Sequence, residues 1–155
     1  MSEFRNIEEL AHELTYHRYL LNQSQARGLI RELSIPQYIA LQYVSRAVQG
    51  GDAGRVYLRD VARELRLSIP QASRMVGSLR DKGLVSWSHD GDGSEGTYVV
   101  ITDEGHTLMA TRKSISEDYY SRVIARFGEE NMVQLLDLIK QLGAIMKEEG
   151  SATRE

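Results

Sequence analysis

The sequence predicts a mainly α-helical chain with one small β-hairpin, and three observations carry that prediction. Apolar side chains recur at intervals of three and four near both ends of the 155-residue chain, as they do on one face of a helix. Two shorter helical patterns lie close together in its middle, separated by a turn at Arg66. Two runs of β-branched and aromatic residues then flank a glycine-rich segment, which is typical of a hairpin. The expected fold class is therefore mainly α with a small hairpin, an α+β arrangement.

The composition is that of one soluble domain. Hydrophobic residues make up 41% of the chain and charged residues 26%, which are ordinary values for a globular protein. No run approaches the roughly 18 apolar residues of a membrane helix, and the N-terminus lacks the layout of a signal peptide. We therefore expect a cytoplasmic protein without membrane contact. The absence of cysteine excludes disulfides, thiolate redox chemistry and cysteine-based zinc sites.

No catalytic or metal-binding signature is present. The sequence lacks a nucleophile elbow, a phosphate-binding loop, a dinucleotide fingerprint and a metalloprotease motif, so we expect no enzyme and no cofactor. His12 and His17 are five positions apart and do not share a helix face, which argues against a metal site. The acidic residues Asp90, Asp92 and Glu95 resemble the start of a calcium loop but lack its later bidentate glutamate. We interpret them as a solvated turn.

Heptad seams mark the first and last helices. In the first, the apolar positions step three and four residues at a time, with His17 filling one gap and Asn6 capping the start. The last helix repeats this stepping, and both offer more apolar surface than the central core can cover. We therefore expect residues 1–33 and 103–149 to form the dimerisation helices of a homodimer, followed by a disordered tail at 150–155. The predicted interface residues are Ile7, Leu10, Leu14, Leu21, Leu135, Ile139, Leu142 and Met146.

Two helices begin with the same four residues, Ser-Ile-Pro-Gln. A serine can cap the first backbone amides, the glutamine three residues later can return the bond, and proline is tolerated in the first turn. The first copy starts at Ser34, and its helix contributes the apolar residues Leu41, Val44 and Ile39, of which Ile39 is expected in the central core. A glycine-rich loop over 49–54 follows. Beyond the tetrapeptide the helices share little, so we interpret the match as one capping solution used twice.

Residues 34–102 are predicted to form a winged helix-turn-helix. A short strand over 56–58 precedes a brief helix, the chain turns at Arg66, and the second Ser-Ile-Pro-Gln starts a helix at Ser68. The inner stripe of that helix is Ile69, Ala72, Val76 and Leu79, and the helix ends at Gly83. Residues 84–87 and 97–101 then form a hairpin, the wing. Thr102 is expected to cap a long helix that is interrupted at Gly128.

Positive charge is concentrated in the helix-turn-helix although the whole chain has a formal charge of −3. Seven cations stand against three acids between Arg55 and Lys82, which suits contact with phosphates. On the second helix, Gln and Arg side chains can pair with adenine and guanine in the major groove. The alternative is an ordinary solvated helix face. The predicted DNA-binding residues are Ser68, Gln71, Ser73, Arg74, Ser78, Arg55, Arg59, Arg63, Arg66 and Lys82.

The chain resembles the MarR family of winged-helix regulators from Ser34 onward. The resemblance rests on the segments SIPQYIALQYV, LRDVARELRLSIPQASRMVGSLRDKGLV and VVITDEGHTLM. It implies a homodimer that binds a pseudo-palindromic operator in double-stranded DNA, usually as a repressor released by a small ligand. The region that usually holds ligands in this family corresponds to the first two helices here. There Tyr16, His17, Tyr38 and Tyr43 could line a site for an aromatic ligand, or the tyrosines could be ordinary interface residues.

Two features depart from the family pattern. Arg66 stands where the family often has glycine, which costs strain if the residue is left-handed but adds a cation near the phosphates. The wing tip reads HDGDGSEG, with three acids where the family places arginine, and acids are repelled by the DNA backbone. An alternative function is therefore a winged-helix dimer that acts through protein contact, with weak or no DNA binding.

Overall fold

The computed structural model describes residues 6–26, 33–47, 55–89 and 96–153. The predicted loop at 49–54 and the acidic tip at 90–95 lie outside these residues, as do the last two residues of the predicted tail. In chain order the elements are α1 (Ile7–Ala26), α2 (Ile35–Ala47), β1 (Val56–Tyr57), α3 (Leu58–Leu65), α4 (Ile69–Asp81), β2 (Val85–His89), β3 (Thr97–Ile101), α5 (Asp103–Phe127) and α6 (Glu129–Ala152). The mainly α fold with a small hairpin is confirmed.

The chain forms two compact units, Met1–Lys113 and Ser114–Glu155, with the boundary inside α5. In the first unit the strands make an antiparallel sheet in the order β1-β3-β2. Tyr57 pairs with Tyr98, and Trp87 pairs with Val99. The predicted strand over 56–58 was one residue too long, because Leu58 is buried as the first residue of α3.

The core of the first unit lies where α2, α3 and α4 meet one face of the sheet. Its fully buried large side chains are Leu41, Val44, Val61, Val76, Leu79 and Val99. Two inward assignments were wrong: Ile39 and Ile69 keep 37% and 38% of their surface exposed. Ile69 lies in the first turn of α4, one turn before the buried Ala72, and α2 buries Ala40 and Leu41 instead of Ile39.

Both predicted capping boxes form. The Ser34 backbone N–H donates to Gln37 Oε1 at 2.9 Å, and the Gln37 N–H donates to Ser34 Oγ at 3.3 Å. The same two bonds join Ser68 and Gln71 at the same two distances. Each box satisfies two N–H groups that a helix start leaves without partners in the helix.

α3 and α4 both end in a Schellman motif. After α3 the Leu67 N–H reaches the Ala62 carbonyl at 2.8 Å, and after α4 the Leu84 N–H reaches the Leu79 carbonyl at 3.1 Å. The left-handed residue is Gly83 in the second motif, with φ 76°, but Arg66 in the first, with φ 54° and ψ 47°. Among the described residues Arg66 alone has a positive φ without being glycine. An L-residue with a Cβ held there costs roughly 1–2 kcal/mol.

Thr102 connects the wing to α5. Its Oγ1 donates to the Gly83 carbonyl at 2.6 Å and accepts the Gly105 N–H at 3.1 Å, so the predicted cap is present. Gly105 is required here because a Cβ would collide with the Leu84 carbonyl and the Ile101 side chain. In the second unit α5 ends before Gly128, whose φ is 101°, and α6 continues to Ala152. Residues 150–152, expected in a disordered tail, extend that helix, and Thr153 then bonds back to the Glu149 carbonyl.

The predicted seams are exposed on a single chain. In the described part of α1 no side chain is buried, and the exposed fractions of its seam residues run from 45% at Leu14 to 85% at Ile7. In α6 the seam residues Leu135, Ile139, Leu142 and Met146 are also exposed. None of the helices in the described ranges is long and apolar enough to cross a membrane.

Candidate nucleic-acid interface

The outer face of α4 presents the residues predicted to read bases. Burial of Ala72, Val76 and Leu79 fixes the rotation of the helix, so Gln71 and Arg74 point to solvent and Ser73 lies at the edge, half-buried. The Oε1 atom of Gln71 already accepts the Ser68 N–H of the capping box. A bidentate contact to adenine uses both the oxygen and the nitrogen of a glutamine. Because a glutamine oxygen has two lone pairs, Gln71 can keep the cap bond in that contact only if the adenine amino group reaches the second lone pair of Oε1.

Ser78 and Lys82 lie on a different side of α4, toward α2. The Nε2 of Gln37 donates to Ser78 Oγ at 2.8 Å, and Lys82 Nζ lies 3.4 Å from Gln37 Oε1. Ser78 is half-buried in this joint. Its hydroxyl joins two helices instead of standing on the outer face, where the sequence pattern had placed it.

Arg55 and Arg59 stack on tyrosine rings of the sheet. The guanidinium carbon of Arg55 lies 4.7 Å from the ring centre of Tyr98, and that of Arg59 lies 4.8 Å from the ring centre of Tyr57. The sequence predicted both arginines as DNA-binding residues but assigned no role to Tyr57 or Tyr98. The spacing of Arg55 and Tyr57 was a usable signal, because residues two positions apart share one side of an extended segment, whereas Arg59 lies in the first turn of α3.

The remaining cations of the segment have acidic or aromatic neighbours or occupy the turn. Arg63 lies 3.8 Å from Asp60, an exposed ion pair of little energetic weight. Arg80 lies 3.2 Å from Asp81 and stacks over Trp87 at 4.5 Å. Arg66 is exposed in the turn between α3 and α4. Two of the three acids in this segment thus lie beside arginines.

The base of the wing is joined across its strands. Thr97 Oγ1 and His89 Nδ1 are 2.9 Å apart, and Thr97 is buried. This hydrogen bond links the last residue of β2 to the first residue of β3. The acidic residues Asp90, Asp92 and Glu95 follow directly beyond it, outside the described residues.

The predicted ligand residues have unlike surroundings. Tyr38 and Tyr43 are half-buried against the core, and burial, followed by the charges of Asp60 and Glu64, raises the pKa of the Tyr43 hydroxyl. Tyr16 and His17 are exposed on α1, where His17 Nε2 lies 3.1 Å from Glu13 Oε2. An open cavity of about 550 Å³ lies elsewhere, in the second unit, lined by Tyr119, Arg122, Val123, Arg126 and Phe127. Among the described residues no group of three His, Asp or Glu side chains could hold a metal ion.

Comparison with solved structures identifies the architecture. A MarR family regulator from Neisseria meningitidis is 15% identical, covers 97% of this chain and 99% of its own, and superposes with a TM-score of 0.68. A mutant MarR from E. coli in complex with operator DNA is 16% identical, with 89% and 99% covered and a TM-score of 0.69. The PcaV regulator from Streptomyces coelicolor, in complex with its natural ligand, is 20% identical, with 93% and 98% covered and a TM-score of 0.66.

No family model and no curated protein matches the sequence. The likeness is therefore one of structure, over nearly the full length of each chain. The chain has the winged helix-turn-helix fold of MarR family transcriptional regulators.

Proposed function

We propose that the protein is a sequence-specific, DNA-binding transcriptional regulator of the MarR type, acting as a homodimer. The observation that carries the proposal is the geometry of α4. Its inner face buries Ala72, Val76 and Leu79 in the core. Near its N-terminal end Gln71 and Arg74 point to solvent, and Ser73 lies half-buried at the edge. Helix-turn-helix proteins use that end of their second helix to contact base edges in the major groove.

The charge distribution supports the same orientation. The helix-turn-helix segment is basic in an otherwise acidic chain, so a duplex is attracted to one side of the protein. Arg55, Arg59 and Arg66 precede α4 in the sequence and suit phosphate contact better than base contact. Phosphate contacts set the register, and contacts from α4 then read the sequence.

The exposed seams of α1 and α6 support the homodimer. A row of aliphatic side chains spaced three and four residues apart forms a continuous apolar face, and exposing that face to water is unfavourable unless another helix covers it. A two-fold dimer would present two copies of α4 to half-sites about 34–36 Å apart on a pseudo-palindromic operator. The E. coli MarR mutant, which shares this fold, is in complex with operator DNA, and this supports operator binding.

In this proposal the regulator is a repressor, has no catalytic activity, works in the cytoplasm and responds to a small aromatic ligand. Ligand response is supported by the PcaV neighbour, which is in complex with its natural ligand. Tyr38 and Tyr43 are the candidates in the first unit, since each offers a half-buried ring with a hydroxyl. Tyr16 and His17 would contribute from α1.

The test is a binding titration of the full chain with duplexes from the region upstream of its own gene, repeated between 50 and 200 mM salt. We expect one duplex to bind more tightly than a scrambled duplex of the same length, and its affinity to fall steeply with salt, because each neutralised phosphate contributes a slope of about −0.9. A dimer that acts through protein contact alone predicts neither preference nor salt dependence. That result would contradict the proposal.

A further inference from the structure

The outer face of the three-stranded sheet, opposite the core, carries an aromatic and cationic cluster. Burial alternates along β3, with Thr97, Val99 and Ile101 directed inward, so Tyr98 lies on the outer face. Tyr57 of β1 pairs directly with Tyr98 and lies on the same face. Arg55 precedes β1 and Arg59 follows it, in the first turn of α3.

The four side chains form a continuous stack, which we call the Arg-Tyr ladder (Arg55, Tyr98, Tyr57 and Arg59). The Arg55 guanidinium lies 4.7 Å from the Tyr98 ring centre. The rings of Tyr98 and Tyr57 meet edge to face, with centres 6.2 Å apart and planes at 70°. The Arg59 guanidinium lies 4.8 Å from the Tyr57 ring centre. A cation thus stands at each end of an aromatic pair.

Stacking on a tyrosine ring holds an arginine side chain in an orientation that can bind a phosphate. The guanidinium is planar, and contact through its face leaves its N–H groups in the plane, where they match two oxygens of a phosphate. An arginine loses rotamer entropy when it is fixed, so a ring that already holds the side chain lowers the entropic cost of binding a phosphate. The tyrosines would act through the arginines without touching DNA themselves.

The surroundings of the ladder favour an anion. On the outer face of β2 the residues beside it are Ser86 and Ser88, and Ser88 is the direct cross-strand partner of Tyr98. Among the described strand residues on this face, none is a carboxylate.

We infer that the Arg-Tyr ladder is a phosphate-binding surface for the DNA backbone, in which Tyr57 and Tyr98 are positioning residues for Arg59 and Arg55. This inference rests on the proposed function and deepens it. It assigns the wing's attraction for DNA to the base of the hairpin, where Tyr98 is the second residue of β3, instead of to the acidic tip. The wing then approaches the backbone with the cations of β1 and α3 beside it.

The experiment is a double-mutant cycle on the full chain, with Tyr98→Leu, Arg55→Ala and the combination. The probe is a mixed-sequence duplex of about 30 base pairs at low salt, because phosphate contacts act on any sequence. We expect Tyr98→Leu to weaken binding about two- to fivefold per subunit, the range of an exposed cation–π contact. Arg55→Ala should also lower the salt slope by about 0.9 per subunit. In the Arg55→Ala background, Tyr98→Leu should have no further effect.

Tyr98→Phe is the matched control, since it keeps the ring face and should bind as the unmodified chain does. Additive effects in the cycle, or an equal loss in Tyr98→Phe and Tyr98→Leu, would overturn the inference while leaving the proposed function intact. If Tyr98→Leu lowers the melting temperature, a fluorinated phenylalanine at position 98 replaces it, because fluorine weakens the ring's attraction for a cation at nearly constant shape. Failure of the unmodified chain to bind any duplex would instead contradict the proposed function itself.

Discussion

α2 and α4 begin with the same four residues and have different positions in the fold. Both run for 13 residues, and their capping boxes have identical bond lengths. Gln37 of α2 also donates to Ser78 of α4, in a half-buried joint between the helices. Gln71, its counterpart in α4, is exposed. The shared tetrapeptide sets where each helix starts, and the faces that the following residues bury decide what each helix can do.

Substitutions on the inner faces of α2 and α4 should lower the free energy of unfolding by similar amounts. Leu41→Ala and Leu79→Ala each remove a side chain with no exposed surface, so each should lower the free energy of unfolding by about 2–5 kcal/mol. Denaturant unfolding at one fixed protein concentration measures both. Ile69→Ala is the control, because its 38% exposure predicts a smaller loss. An equal loss at Ile69 would mean that α4 is rotated from the position described.

Replacing Gln37 and Gln71 by alanine should lower the free energy of unfolding by different amounts in the same denaturant assay. Gln37→Ala removes the return bond of its cap, the bond to Ser78 and the long, exposed contact with Lys82. The two shorter bonds predict a cost of about 1–3 kcal/mol at 0.5–1.5 kcal/mol per hydrogen bond. Gln71→Ala removes the cap bond alone and should cost about half as much, while weakening binding to the preferred duplex. If Gln71→Ala were the more destabilising variant, this would contradict the assignment of Gln37 to a stabilising joint between the helices and of Gln71 to the exposed face.

A substitution in the turn that precedes α4 should have a smaller effect, raising the free energy of unfolding while lowering DNA affinity. Arg66→Gly relieves a left-handed residue and should raise the free energy of unfolding by about 1 kcal/mol, yet weaken DNA binding equally on all sequences. Arg66→Lys keeps both the strain and the charge and should leave both measurements near those of the unmodified chain. Stabilisation without any loss of DNA affinity would remove Arg66 from the interface.

Features decided by neighbouring residues were predictable from the sequence. The two capping boxes, the glycine end of α4, the cap at Thr102 and the break at Gly128 all follow from side-chain chemistry within a few positions. Heptad stepping is also a local pattern; the residues it marks are exposed on the single chain, and their place in a dimer interface stays a prediction. The fold class depended on these signals and was correct.

Features that depend on tertiary register were not predictable. The bond between Gln37 and Ser78 joins residues 41 positions apart, and the stack of Arg55 on Tyr98 requires the pairing of β1 with β3. Ile69 fits the inner stripe by spacing, but its place in the first turn leaves it at the rim of the core. Periodicity identifies a helix face without saying how far along the helix that face is covered.

The central claim is that the outer face of α4, unlike any part of α2, reads bases. The most direct measurement compares Arg74→Ala with Arg46→Ala, an exposed arginine in the last turn of α2, on the preferred duplex and its single-base variants. We predict that Arg74→Ala costs about 1–3 kcal/mol and erases discrimination at one base position, and that Arg46→Ala leaves the specificity profile unchanged. A uniform loss on every duplex with Arg74→Ala would make that residue a phosphate contact. An unchanged profile in both variants would contradict the claim that Arg74 on α4 reads a base.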